Sequence, residues 1–175
     1  MTFTDKFNLL NTLYVRFGCQ SFVETGTFEA AMTVRMSSVS NVVRSIEISE
    51  ILYERSLNNV AAQAANRNIK LHCGDSVHVL PSILADDDIQ RPLVWLDAHF
   101  SGGFTMMGAS ETPILTELHI VSQCNKLCVV AIDDLRCFNG THDYPTVEFL
   151  KRTILALWKN VSINTNDDIL WFYTA

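Results

Sequence analysis

Short runs rich in β-branched and aromatic residues recur along the chain, at 21–25 (SFVET), 42–48 (VVRSIEI), 69–73 (IKLHC), 92–97 (PLVWLD) and 127–133 (LCVVAID), separated by stretches of helical length. Parallel strands need a crossover connection, and a helix between consecutive strands is the usual one. The alternation therefore predicts βα units that build a parallel sheet covered on both faces. Two late runs, 161–165 and 169–174, flank Asn166, Asp167 and Asp168, residues that suit a tight reversal. They predict an antiparallel hairpin closing the sheet. Helical patterns occupy 4–17, 30–37, 50–66, 76–84, 112–123 and 146–159. Ser49 and Asp75 are placed to cap two of these helices, and Pro113 and Pro145 stand where a first helical turn would begin.

At 175 residues, with no internal repeat, low-complexity tract or linker, the expectation is one α/β domain spanning 1–175. A compact fold of this size buries roughly 70% of the surface its unfolded chain exposes, so it needs no disulfide or metal staple. Any metal is then functional first. The formal charge of -6 argues against a broad phosphate-binding face, and nucleic acid is not an expected partner. Five cysteines, an odd number with no CxxC pair, fit reduced thiols rather than a disulfide framework. The first residues lack a basic segment followed by an apolar stretch, and no apolar run reaches the ~18 residues of a membrane span. The chain reads as cytoplasmic, with no membrane partner.

In open sheets of this kind, ligands bind outside the carboxyl ends of the strands, where the winding reverses. The first strand runs into VETGTFEAA, where Gly26 would let backbone approach a ligand at the start of a helix, or would simply turn strand into helix. Glu47, at the end of the second strand, lies 21 residues beyond Gly26. That spacing suits a carboxylate accepting hydrogen bonds from a ribose diol; the plainer alternative is a solvent-facing acid. After the third strand, in LHCGDS, Asp75 could accept from an adenine amino group or cap the following helix.

The fourth and fifth strands finish in acid: VWLDAHFSGG places Asp97 after one, and VVAIDDLRCF places Asp133 and Asp134 after the other. On neighbouring parallel strands these three carboxylates would emerge together, and like charges at close range raise one another's pKa unless a cation intervenes. A hard divalent ion such as Mg²⁺ resolves the conflict. The plainer alternative is a solvated loop with Asp97 capping a turn. His99 stands beside Asp97 as a candidate proton acceptor or an ordinary turn histidine. The segment 98–110, with three glycines and two methionines, is a candidate lid.

Taken together, these residues resemble a class I S-adenosylmethionine-dependent methyltransferase over nearly the whole chain. VETGTF is similar to that family's motif I, Glu47 to its ribose acid and Asp75 to its adenine-side acid. The resemblance implies a Rossmann-like sheet of seven mostly parallel strands in the order 3-2-1-4-5-7-6. It also implies cofactor contacts from Glu24, Thr25, Gly26, Thr27, Phe28, Glu47, Gly74, Asp75, Ser76 and Asp97. LDAH followed by IDD resembles the metal-dependent small-molecule O-methyltransferases of macrocin and cephalosporin type, which implies Mg²⁺ on Asp97, Asp133 and Asp134, with Asp97 and His99 in catalytic roles. Motif I normally carries a second glycine, where this chain has TFEAA. Macrocin-type enzymes also carry extra N-terminal helices, so cover over the substrate would come from 98–110, from 139–144 or from a second subunit in a homo-oligomer. The implied partner is a small molecule bearing a hydroxyl, of sugar or natural-product type.

Two other classes compete. A cofactor-binding or interaction protein could keep this fold without the reaction. An NAD-dependent oxidoreductase would share the glycine turn and ribose acid, but the chain lacks G-x-G-x-x-G and that class leaves the three acids unexplained. No Asn-Pro-Pro-aromatic segment follows the fourth strand, which disfavours a nucleic-acid methyltransferase.

Overall fold

A computed structural model describes residues 1–63, 68–98 and 112–174. In chain order the elements are α1 (Phe3–Arg16), β1 (Ser21–Thr25), α2 (Ala31–Met36), β2 (Val42–Glu47), α3 (Glu50–Ala61), β3 (Ile69–Cys73), α4 (Ser76–Ala85), β4 (Pro92–Leu96), α5 (Ile114–Ser122), β5 (Val129–Ile132), a 3-10 turn (Leu135–Cys137), α6 (Val147–Leu157), β6 (Asn164–Asn166) and β7 (Ile169–Tyr173). The strands form one sheet in the order β3-β2-β1-β4-β5-β7-β6, the expected order. β1 to β5 run parallel, and β7 is antiparallel to both β5 and β6. Among the described residues no helix is long and apolar enough to cross a membrane.

Both faces of the sheet are apolar because adjacent strand residues point to opposite sides. In β4, Leu93 and Trp95 join Phe7, Leu10, Leu13 and Met36 of α1 and α2, while Val94 and Leu96 join Leu80, Leu118 and Ile154 of α4, α5 and α6. Side chains of this kind contribute about 1.5–3 kcal/mol each when fully buried. α1 begins with a capping box in which Thr2 accepts from the Asp5 N–H and the Asp5 side chain accepts from the Thr2 N–H. Ser49 and Asp75 cap α3 and α4 as expected. Pro113 is the N-cap residue of α5, and Pro145 stands one residue before the Thr146 cap of α6.

Strand register positions the site. Thr25 pairs with Ile46 on one side and Leu96 on the other, and Leu96 pairs with Ile132. One residue further on, Gly26, Glu47, Asp97 and Asp133 therefore line the same edge of the sheet. The ladder continues into these residues: Gly26 N–H donates to Ile46 O, Asp97 N–H to Thr25 O and Asp133 N–H to Leu96 O. The winding reverses between β1 and β4, in the middle of this edge. The hairpin closes through Asp167, held in the left-handed region at φ 54°, and Asp168. The short turn brings Asp168 to the same end of the sheet as Asp133, where the Leu135 N–H donates to the Asp168 carbonyl.

Candidate active site

On the β1–β3 side, the carboxylates are held by neutral donors. Glu24 is 2% exposed, and its Oε2 accepts from Thr33 Oγ1 (2.5 Å) and Ser45 Oγ (2.7 Å). Burial pushes it up to about 8, with the two hydroxyls opposing that rise. Glu47 reaches back over the glycine turn: Oε2 accepts from the Phe28 N–H (2.8 Å) and Oε1 from the Ser49 N–H (2.9 Å). Burial raises it as well, and the backbone donors offset part of that rise. Thr27 Oγ1 and Ser45 Oγ lie 2.6 Å apart beneath the turn, and the exposed Phe28 takes φ 51° while its carbonyl accepts from Ser56 Oγ. Asp75 Oδ1 accepts from the Val77 N–H at 3.0 Å, so its capping role is visible; Gly74 precedes it at φ 146°, and Ser76 opens α4.

Gly26 joins this half to the next. At φ 84° it occupies the left-handed region, and a Cβ there would lie 2.5 Å from the Asp97 carbonyl oxygen. The β1 turn and the end of β4 thus touch backbone to backbone, an approach that only glycine permits.

On the β4–β5 side, the carboxylates are held by cations. Asp133 and Asp134 are 4% and 6% exposed. Lys6 Nζ, from α1, lies 2.5 Å from Asp133 Oδ2 and 3.3 Å from Asp134 Oδ1. Arg136 Nη1 donates to Asp134 Oδ1 (2.7 Å) and to Asp168 Oδ2. Burial and the nearby Asp97 charge push Asp133 up to about 6, against the pull of Lys6. Burial works against the Lys6 charge, yet Asp133, Asp134 and Asp97 together raise Lys6 above its ordinary value. Asp97, Asp133 and Asp134 line one pocket with Glu117, Phe138 and Tyr144, the last two meeting edge to face.

The structure therefore gathers Glu47, Gly26, Asp97, Asp133 and Asp134 along one edge, while His99 and all of the 98–110 segment except Ala98 lie outside the described residues. Three residues were not anticipated as parts of a site. Among the described residues, one oxygen each from Asp133, Asp134 and Asp168 lie within 4.8 Å of one another, a group that takes in Asp168 and not Asp97. Lys6 carries no local signal, being 127 residues from Asp133. Glu117 does carry one: it falls on the apolar stripe Ile114, Leu118, Val121 of α5, is 1% exposed, and its Oε1 has no hydrogen-bond partner among the described residues. Burial pushes it up to about 7, with the Ser76 and Thr25 hydroxyls opposing.

Both implied groups fit this donor set. Clustered carboxylate oxygens are what a hard divalent cation requires. An ionised carboxylate offers about four lone-pair positions. Glu47 uses two of them on backbone N–H groups, which leaves acceptors for a diol.

No protein-family model and no curated protein sequence matches the chain. Solved structures do. The chain is similar to the O-methyltransferase TomG from Streptomyces achromogenes, involved in tomaymycin synthesis and solved in complex with SAM, at 16% identity and a TM-score of 0.73, covering 100% of this chain and 81% of that one. An O-methyltransferase from Bacillus cereus in complex with SAH aligns at 16% identity and a TM-score of 0.76, covering 100% and 83%. The SAH-bound methyltransferase PaMTH1 from Podospora anserina aligns at 9% identity and a TM-score of 0.65, covering 98% and 79%. With its strand order and antiparallel end, the chain has the Rossmann-like fold of the class I S-adenosylmethionine-dependent methyltransferases.

Proposed function

We propose that this protein transfers the methyl group of S-adenosylmethionine to a hydroxyl oxygen of a small molecule, using a divalent cation such as Mg²⁺. The observation that carries the reading is the register that sets Gly26 and Glu47 on one side of the switch point and Asp97 and Asp133 on the other. Cofactor and acceptor sites are then adjacent, as group transfer requires.

Glu47 holds the ribose hydroxyls and Asp75 the adenine edge, while Glu24, Thr25, Gly26, Thr27, Phe28, Gly74 and Ser76 form the surrounding wall. Asp97, Asp133 and Asp134 hold the cation, with Asp168, itself paired with Arg136, beside them. When bound, the cation supplies Lewis acidity that lowers the pKa of a hydroxyl, and the cofactor supplies the methyl. Phe138 and Tyr144 give the pocket an apolar wall against which an acceptor is oriented. His99, two residues beyond Asp97, takes the hydroxyl proton, a role typically worth ~10²–10⁴-fold. The acidic balance of the chain favours small molecules over nucleic acid as acceptors.

The test is Asp133→Ala, assayed by release of S-adenosylhomocysteine across a panel of hydroxylated acceptors, with cofactor binding followed by calorimetry. Metal-dependent turnover should fall by at least ~10²-fold while cofactor affinity stays close to wild type; unchanged turnover would refute the metal assignment. A second reading, cofactor binding without transfer, draws on Lys6 and Arg136, which already neutralise the acids. Under that reading wild-type protein binds cofactor yet turns over none of the panel.

A further inference from the structure

We infer that Lys6 is an internal competitor for the cation site, an affinity-determining residue whose ammonium must leave Asp133 and Asp134 before a divalent ion can bind there. The inference rests on the divalent-cation reading above and assigns Lys6 a role within it.

Geometry carries the argument. Lys6 Nζ lies 2.5 Å from Asp133 Oδ2 and 3.3 Å from Asp134 Oδ1, so it bridges the two acids that follow β5. Their side chains are only 2% and 9% exposed, whereas that of Lys6 is 20% exposed. The acids have little room to turn away, and the lysine does. An ammonium and a divalent cation sharing these oxygens would repel strongly at such range. One of them must be absent.

The way α1 is anchored decides which one moves. Phe7, Leu10, Leu13 and Tyr14 bury its inner face against the sheet, and the Thr2–Asp5 capping box fixes its first turn. The Lys6 backbone is therefore held in place while its four-carbon stem can rotate the charge into water. Arg136 is a weaker rival: its side chain is 62% exposed and reaches Asp134 and Asp168 but not Asp133. The device leaves the buried acids paired at every stage, because one cation departs as the other arrives. Its consequence is a divalent affinity set below what the carboxylates alone would reach, with monovalent ions unable to displace an ammonium that is already tethered.

The experiment is calorimetric titration of wild type, Lys6→Met, Lys6→Gln and Lys6→Arg with MgCl₂ and MnCl₂, paired with thermal melts in the presence of EDTA or excess Mg²⁺. The two neutral variants should bind at least ~10-fold more tightly than wild type, and Lys6→Arg should bind no more tightly than wild type. In EDTA the neutral variants should melt below wild type, and excess Mg²⁺ should raise them by more than it raises wild type. Lys6→Gln keeps a hydrogen-bond donor toward Asp133, so it reports even where Lys6→Met folds poorly. Equal affinities in wild type and both neutral variants overturn the role of Lys6 and leave the metal reading standing. Absence of binding in every protein overturns both.

Discussion

The two halves of the sheet edge solve the same problem differently. At the ends of β1 to β3, Glu24, Glu47 and Asp75 are held by hydroxyls and backbone N–H groups that the local fold supplies. At the end of β5, Asp133 and Asp134, together with Asp168 just before β7, are held by the side-chain cations Lys6 and Arg136. The backbone N–H groups that hold Glu47 and Asp75 cannot leave without unfolding the turn and the cap. Ammonium and guanidinium groups on flexible stems can. The first half is therefore held by fixed local donors, and the second by side-chain cations that the inference above makes exchangeable. A methyl donor that needs fixed orientation suits the first, and an ion that comes and goes suits the second.

The largest expected effect lies at the joint between them. Gly26→Ala puts a Cβ 2.5 Å from the Asp97 carbonyl oxygen at φ 84°, and backbone cannot swing aside as a side-chain tip can. A loss of about 4 kcal/mol in urea-unfolding stability is expected. A variant as stable as wild type would show that the halves are not rigidly coupled.

Next comes pH. Glu117 sits at about 7 in the fold against an ordinary value of 4.5, so between these values the native state binds more protons than the unfolded one. Stability contributed by the protonated form is present below 4.5 and is lost as pH rises through 7. Glu117→Gln should remove roughly 3 kcal/mol of that decline, measured as the difference in unfolding free energy between pH 4.5 and pH 8. A variant whose decline with pH matches wild type would assign the titration elsewhere, with Glu24 the next residue to replace.

Glu47→Ala sharpens the comparison from the first half. It should weaken S-adenosylmethionine binding by about 10- to 100-fold in calorimetry while leaving Mg²⁺ affinity unchanged. Loss of both affinities would mean that the halves are one unit. The smallest effect is Ser49→Ala, which removes the α3 cap next to the Glu47 loop and should cost about 1 kcal/mol in thermal or urea unfolding without altering metal binding.

How much of this could be read from the chain varies with the range of the interaction. The sheet was legible because β-branched and aromatic runs and crossover length are local properties: 92–97 and 127–133 read as strands from their own residues, and the structure places β4 and β5 there. The acids after those strands were legible for the same reason, since an aspartate that directly follows a core strand must emerge at the sheet edge. β1 and β3 match their expected bounds, while β2, β4, β5 and β7 stop one residue before the expected end, because ladder pairing rather than composition stops a strand. β5 covers Val129–Ile132 of the expected 127–133, and β6, expected at 161–165, runs Asn164–Asn166, starting three residues later and ending one later. Asp168 was read as a turn former, which it is, but its nearness to Asp133 depends on β7 pairing with β5. Glu117 announced itself only as a charge on an apolar stripe, with no sign of what it faces.

The amino-acid sequence by itself determined the alternation of strands and helices, the glycine turn, and the succession of acids at strand ends, because each follows from neighbours within a few residues. The tertiary structure alone decided that Lys6 neutralises Asp133 and Asp134, that Asp168 joins them, and that Gly26 touches the Asp97 backbone. These contacts join segments far apart in the chain. Electrostatic energy depends on distance in space, and packing α1 and β7 against the central strands is what makes those distances short.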